Sequence, residues 1–208
     1  PLPRLAVAGE AALEAERTVA RLWEKSEGPL VGLVPASRKE TRRWPASRYG
    51  ELGRRLAEEA GARLLVFWGP GERPLAEETA RLAGPSARVA PETPRLKGLA
   101  ALIARCSLVV TNCNGPKHLA VAVGVPTVTL HGSSDPVCWN PPHPGSGSPH
   151  PGSGSPHPRH VVVRREELPC IGCRQNECPI RTIECLTELS PERVAKEALA
   201  LLSPAGKA

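Results

Sequence analysis

Three short stretches of this chain carry residue types suited to holding a phosphorylated ligand. The first is PASRKETRRWP at 35–45. It sets four cations (Arg38, Lys39, Arg42, Arg43) and one anion, Glu40, beside the hydroxyls of Ser37 and Thr41. Guanidinium and hydroxyl donors at that density suit the oxygens of a diphosphate; a solvated basic loop is the competing reading. The second is TNCNGPKHLA at 111–120. Gly115-Pro116 turns the backbone into a helix, whose free N–H groups and positive dipole end favour phosphate, and Lys117 and His118 add two further donors. The third is WGPGE at 68–72, where the Glu72 carboxylate is placed either to accept a ribose hydroxyl or to cap the next helix. A fourth loop, HGSSDP at 131–136, is small enough to let a ligand approach and reads equally as a plain turn. Neither G-x-G-x-x-G nor G-x-x-x-x-G-K-[ST] occurs, which argues against a simple dehydrogenase or NTPase.

Cysteine supplies a second kind of chemistry. Cys106, Cys113 and Cys138 are scattered, whereas Cys170, Cys173, Cys178 and Cys185 form a C-x2-C-x4-C-x6-C cluster. With no secretory signal in these residues, reduced thiols or a metal are expected over a disulfide framework. Four thiolates suit a closed structural zinc site. The spacing is not that of two well-separated C-x2-C knuckles, and thiols that simply pack the final segment remain the alternative.

The elements that must position these loops alternate in type. Apolar runs at 30–34, 64–68, 87–90, 108–110, 127–130 and 161–163 read as strands. Between them, helical periodicity predicts helices over 10–24, 46–60, 73–82, 96–104 and 115–123. A last helix opens at Ser190-Pro191, with Val194, Ala198, Leu201 and Leu202 inward. The alternation predicts an α/β fold with a doubly wound parallel sheet, and ligands of such sheets sit beyond the carboxyl ends of the strands. Residues 141–158 break the pattern. All are Pro, Gly, Ser or His, with HPGSGSP repeated at 143–149 and 150–156, and they read as a flexible insertion.

Composition narrows the classes further. The 208 residues are 40% hydrophobic and 23% charged, which excludes a mainly disordered chain. No apolar run reaches the length that spans a bilayer. The net charge of +6 points to an anionic partner. One Phe and one Tyr leave little to stack on bases, so nucleic acid is not expected. The chain starts at Pro1 and contains no Met, as expected of a processed product or a piece of something longer.

The order of Arg42-Arg43-Trp44-Pro45, Trp68-Gly69-x-x-Glu72, the 111–120 segment, Gly124-Val125-Pro126 and the 132–136 loop resembles the bacterial heptosyltransferases of glycosyltransferase family 9, from about Leu30 to Leu202. The resemblance implies the Rossmann-like C-terminal half of a GT-B glycosyltransferase that makes the lipopolysaccharide inner core. Residues 1–29 would be an interdomain segment and leading helix, and 30–140 the nucleotide-sugar-binding domain. Residues 141–158 would be the insertion, and 159–208 the rest of the domain. By the same resemblance Ser37, Arg42, Asn114, Gly115, Lys117 and His118 would bind the diphosphate and Glu72 the ribose. Arg42 stands where the family usually has Lys, and Cys113 where it commonly has Asp. The donor would be of ADP-heptose type, with no cofactor required; Cys170, Cys173, Cys178 and Cys185 are the only candidates for a structural zinc, with reduced thiols the favoured reading there. The lipopolysaccharide precursor would be bound through an N-terminal domain that also carries the catalytic base. The chain alone is therefore expected to bind nucleotide without transferring sugar, in the cytoplasm or at the inner face of the inner membrane. Two other readings compete, a basic nucleic-acid-binding module and a sugar-nucleotide enzyme such as a GT-B-like epimerase.

Overall fold

In the computed structural model, residues 4–24, 27–141 and 157–203 are described. Six strands form one sheet: β1 (Leu30–Val34), β2 (Arg63–Val66), β3 (Ala87–Val89), β4 (Leu108–Asn112), β5 (Thr127–Leu130) and β6 (His160–Val163). All pairings are parallel, in the order β3-β2-β1-β4-β5-β6. This is the doubly wound order expected from the alternation. It reverses between β1 and β4, and a crevice opens there.

Helices cover both faces, so the central strands are apolar on both sides. Val31, Leu33, Leu64, Val66, Leu108 and Val110 pack with α2 (Ala46–Ala60), α3 (Arg73–Ala83) and α8 (Pro191–Leu202). Leu30, Val34, Leu65, Phe67 and Val109 pack toward α1 (Glu10–Leu22), α4 (Leu96–Ala104) and α5 (Gly115–Ala122). The α2–α3 contact is close enough to need glycine. A Cβ on Gly50 would stand 2.4 Å from the Leu82 Cβ. Ser190 caps α8 by accepting the Arg193 N–H, with Pro191 in the first turn.

The differences from the sequence reading lie at polar or very short pieces. β2 ends at Val66, because β3 pairs no further than Val89; Trp68 turns out and donates to the Ala90 carbonyl instead. β4 runs two residues past its apolar core, since Thr111 and Asn112 pair with Thr129 and Leu130 of β5. A 3-10 turn at Glu40–Arg42, α6 (Pro136–Trp139) and α7 (Glu184–Thr187) are too short to show periodicity. In α8, Val194, Ala195 and Ala198 are buried, while Leu201 and Leu202 are half-buried. Most of the 141–158 insertion, including His143 and His150, lies outside the described residues.

Candidate functional site

A cavity of about 760 Å³ lies beyond the carboxyl ends of β1, β2 and β4. Its wall brings together Ser37, Arg42, Glu72, Asn114, Gly115 and His118, six of the seven residues expected to bind a nucleoside diphosphate. Arg38 and Lys39 add cationic lining, and Phe67, Trp68, Leu99, Pro116 and Trp139 supply an apolar side. Cationic and aromatic surface in one cavity suits a ligand with a phosphate and a ring.

The loop after β1 is held by Arg43, Trp44 and Asn112, which do not line the cavity, and by Asn114, which does. Arg43 spends its guanidinium on the Ser37 carbonyl, with Nε at 3.0 Å and a terminal nitrogen at 2.6 Å. Trp44 is fully buried, its ring edge-on to Tyr49 with centroids 4.9 Å apart, and its Nε1 donates to the Leu189 carbonyl at 3.0 Å. Its backbone N–H donates to Asn112 Oδ1 at 3.0 Å, and Asn112 Nδ2 donates to the Pro35 carbonyl at 2.8 Å. Asn114 caps α5: its Oδ1 accepts from the Lys117 N–H and the Thr111 hydroxyl, while its Nδ2 donates to the Ala36 carbonyl at 3.0 Å. The loop after β1 is thereby tied to the helix N-terminus. Arg42 differs from these struts. Its Nε is buried without a hydrogen-bond partner, while the residue contributes to the cavity lining.

Glu72 neither caps α3 with its side chain nor stands wholly free. Its Oε2 accepts the Gly69 N–H at 2.9 Å, which fixes the turn and leaves the other oxygen for a ligand. His118 is exposed, with its ring edge-on to Trp139. Burial first, then the Lys117 ammonium, push its imidazole below the ordinary value, so it acts as a neutral hydrogen-bonding group at pH 7.

Lys117 requires a correction. Its side chain is fully buried, its ammonium donates to the Trp139 carbonyl, and it does not line the cavity. Burial lowers its pKa, with Cys113 opposing the shift. The physical reason is α6, which lies over the first turn of α5 and places a carbonyl where the sequence suggested open space. Cys113 itself does reach the cavity wall. The loop after β5 is not part of that wall either. His131 is buried against Ser134, and Asp135 caps α6 while pairing with Arg174.

Two buried histidines bear on acid stability. Burial, and for His131 next the Lys117 charge, depress its pKa to about 3; His160, buried beside His157, also falls to about 3. Unfolded, both titrate near 6.5, so below that pH the unfolded chain binds more protons and stability falls across the window from 6.5 toward 3. Going from pH 7 to pH 6 should cost about 0.7 kcal/mol per histidine, read from urea unfolding at the two pH values. An unchanged unfolding midpoint would contradict the neutral, buried assignment.

Among the described residues, no group of three or more His, Cys, Asp or Glu side chains is arranged to hold a metal ion. The cysteines of the cluster are all unpaired. They are nonetheless neighbours: burial, then Cys170, Cys178 and Cys173, raise the Cys185 thiol to about 11. Nearby backbone N–H groups, that of Ile183 first, lower the Cys178 pKa.

The profile of glycosyltransferase family 9 (heptosyltransferase) matches residues 3–181. Lipooligosaccharide heptosyltransferase 2 of Campylobacter jejuni is 25% identical over 185 residues, covering 86% of this chain and 54% of that protein. The structure of E. coli ADP-heptose lps heptosyltransferase II superposes with a TM-score of 0.70 at 24% identity, covering 96% of this chain and 53% of that one. An E. coli heptosyltransferase with ADP-2-deoxy-2-fluoro heptose gives 0.55 at 22% identity, over 86% and 46% of the two chains. These structures support the fold, and the chain spans about half the length of the first curated relatives it matches.

Proposed function

The chain belongs to glycosyltransferase family 9, the heptosyltransferases, and from that premise we propose that it holds the donor of an inverting transferase: ADP-heptose or a related sugar nucleotide. The observation that carries the proposal is the cavity at the switch point, whose lining brings together Arg42, Glu72 and Gly115 at the N-terminus of α5. A diphosphate placed between Arg42 and Gly115 sets its ribose toward the free Glu72 oxygen. The base then lies against the apolar wall of Phe67, Trp68 and Leu99. A relative of the same fold is solved with ADP-2-deoxy-2-fluoro heptose, which supports an adenosine diphosphate donor.

In this reading an acceptor hydroxyl of a lipopolysaccharide precursor attacks the anomeric carbon and the nucleoside diphosphate departs, with inversion. The transition state is oxocarbenium-like, as in glycoside hydrolysis. Negative charge grows on the departing diphosphate. Arg42, Ser37, the neutral His118 and the free N–H groups of α5 stabilise it electrostatically, with no metal required for that step. The catalytic base and the acceptor site belong to a further domain, so residues 1–208 alone bind nucleotide without transferring sugar. The proposed setting is the cytoplasm, at the inner face of the inner membrane. Among the described residues no helix is long and apolar enough to cross a membrane.

The four-cysteine segment carries a donor set that suits a structural zinc. Among the described residues its thiols are not gathered to hold an ion, so reduced thiols packing the final segment are the favoured reading, and metal analysis of the purified chain tests it.

Calorimetry with ADP, ADP-heptose, UDP and single-stranded DNA at two salt concentrations tests the donor assignment. ADP and ADP-heptose should bind one per chain, more tightly than UDP. Salt-sensitive DNA binding without nucleotide binding would overturn it in favour of a basic nucleic-acid module. Preferential UDP binding would point to another sugar-nucleotide enzyme.

A further inference from the structure

We propose that Thr41 is a positioning residue of the donor site, tying the loop that carries Arg42 to both the β5 loop and the cysteine-bearing segment. The inference rests on the donor assignment above. Thr41 is 3% exposed and does not line the cavity, yet three segments far apart in sequence meet at its hydroxyl. Its O–H donates to the Gln175 carbonyl at 3.1 Å, with the Asn176 carbonyl a longer second acceptor at 3.4 Å. It accepts from the Ser133 hydroxyl at 3.0 Å, and the Thr41 carbonyl accepts the Ser133 N–H at 3.2 Å.

The two partners of Thr41 are themselves fastened together. The Gly172 N–H donates to the Gly132 carbonyl at 3.1 Å, the Arg174 N–H donates to the Ser133 carbonyl at 2.7 Å, and the Arg174 guanidinium pairs with Asp135. There is no slack at the junction. A Cβ on Gly132 would stand 2.8 Å from the Thr41 carbonyl oxygen and 2.9 Å from Leu186 Cγ.

The consequence falls on the next residue. Arg42 occupies the end of the 3-10 turn that contains Thr41, and its Nε has no partner within the protein. No hydrogen bond to that Nε fixes the side chain, and the backbone from which it projects is held by Thr41. A group that must meet a diphosphate in fixed geometry needs such support, because a displacement of about 1 Å is enough to lose most of the benefit. The cysteine-bearing segment thus becomes part of the donor site without touching the ligand, through Thr41.

The test is a mutant cycle on ADP affinity, with Thr41→Val, Thr41→Ser, Arg42→Ala and the double variant Thr41→Val/Arg42→Ala. Backbone amide exchange at Gly172 and Arg174 is followed in parallel without nucleotide. Thr41→Val should weaken ADP binding about tenfold, and Thr41→Ser, which keeps the hydroxyl, less than about threefold. In the Arg42→Ala background Thr41→Val should add less than about twofold, because the residue it positions is gone. Exchange at Gly172 and Arg174 should accelerate in Thr41→Val and hardly change in Thr41→Ser. An equal loss with and without Arg42, a Thr41→Ser variant as weak as Thr41→Val, or an unchanged affinity in Thr41→Val would each overturn the proposal. Failure of the unmodified chain to bind ADP would instead remove the donor assignment and this inference with it. The exchange data would then still report whether the three-way junction exists.

Discussion

Trp44→Ala should be the most destabilising single substitution in the motif that precedes α2, at about 3–5 kcal/mol in urea unfolding. Three separate losses add up. The ring is fully buried, so its removal leaves a cavity beneath β4 and α8 that rigid neighbours close only in part. Its edge-on contact with Tyr49 disappears. The Leu189 carbonyl loses the indole donor that satisfied it. Trp44→Phe separates these effects, since it keeps most of the apolar surface and the aromatic contact but abandons Leu189. Its cost should be about 1–3 kcal/mol. A Trp44→Ala variant as stable as the parent would show that the Arg-Arg-Trp-Pro motif is not anchored through its indole.

That motif shows what its residues do in the fold, and where sequence could and could not show it. Arg42, Arg43, Trp44 and Pro45 read as one basic patch followed by a helix start. In the structure they divide the work: Arg42 faces the cavity, Arg43 fastens Ser37, and Trp44 anchors the loop to the helical layer. Composition cannot divide them, because the partners that do so lie at Leu189 and Asn112, 145 and 68 residues away. The strands were legible for a simple reason. A parallel strand buried on both faces is a continuous apolar run, and β1 and β5 begin and end where their runs do. β4 was read short because Thr111 and Asn112 are buried polar residues, satisfied by Asn114, Trp44 and Pro35 through contacts that no local pattern encodes.

The cavity was legible through topology more than through motif. Six of the seven expected residues meet at one cavity because all sit just past carboxyl ends of strands flanking the switch point. Lys117 fails for a reason of the same kind as β4. A lysine in the first turn of a helix looks like a free cation, and only the four-residue α6, invisible to periodicity, covers it. The apolar wall was missed as a wall. Phe67, Trp68 and Leu99 read as strand and helix core, and Trp139 carried no signal of its own.

Arg42→Ala should weaken ADP binding by roughly 1–3 kcal/mol, or about 5- to 150-fold in dissociation constant, with little change in folding stability. The asymmetry between binding and folding follows from its contacts. The Arg42 Nε has no partner within the protein, so truncation orphans no acceptor there. What disappears is a charged donor at the wall where the diphosphate is proposed to sit. Arg42→Lys separates charge from geometry. The family resemblance implies that a lysine serves at this position, so the ammonium should recover most of the affinity lost in Arg42→Ala. Recovery would mean that a single point charge does the work. A Lys variant as weak as Ala would mean that the guanidinium fork is required. Salt gives an independent check, because an interaction carried by charge weakens as ionic strength rises, and the slope should flatten in Arg42→Ala and be restored in Arg42→Lys. Unchanged affinity in Arg42→Ala, measured by calorimetry on a variant with unaltered unfolding, would move the diphosphate away from the loop after β1. Arg42 would then be one more solvated cation at the mouth of the crevice.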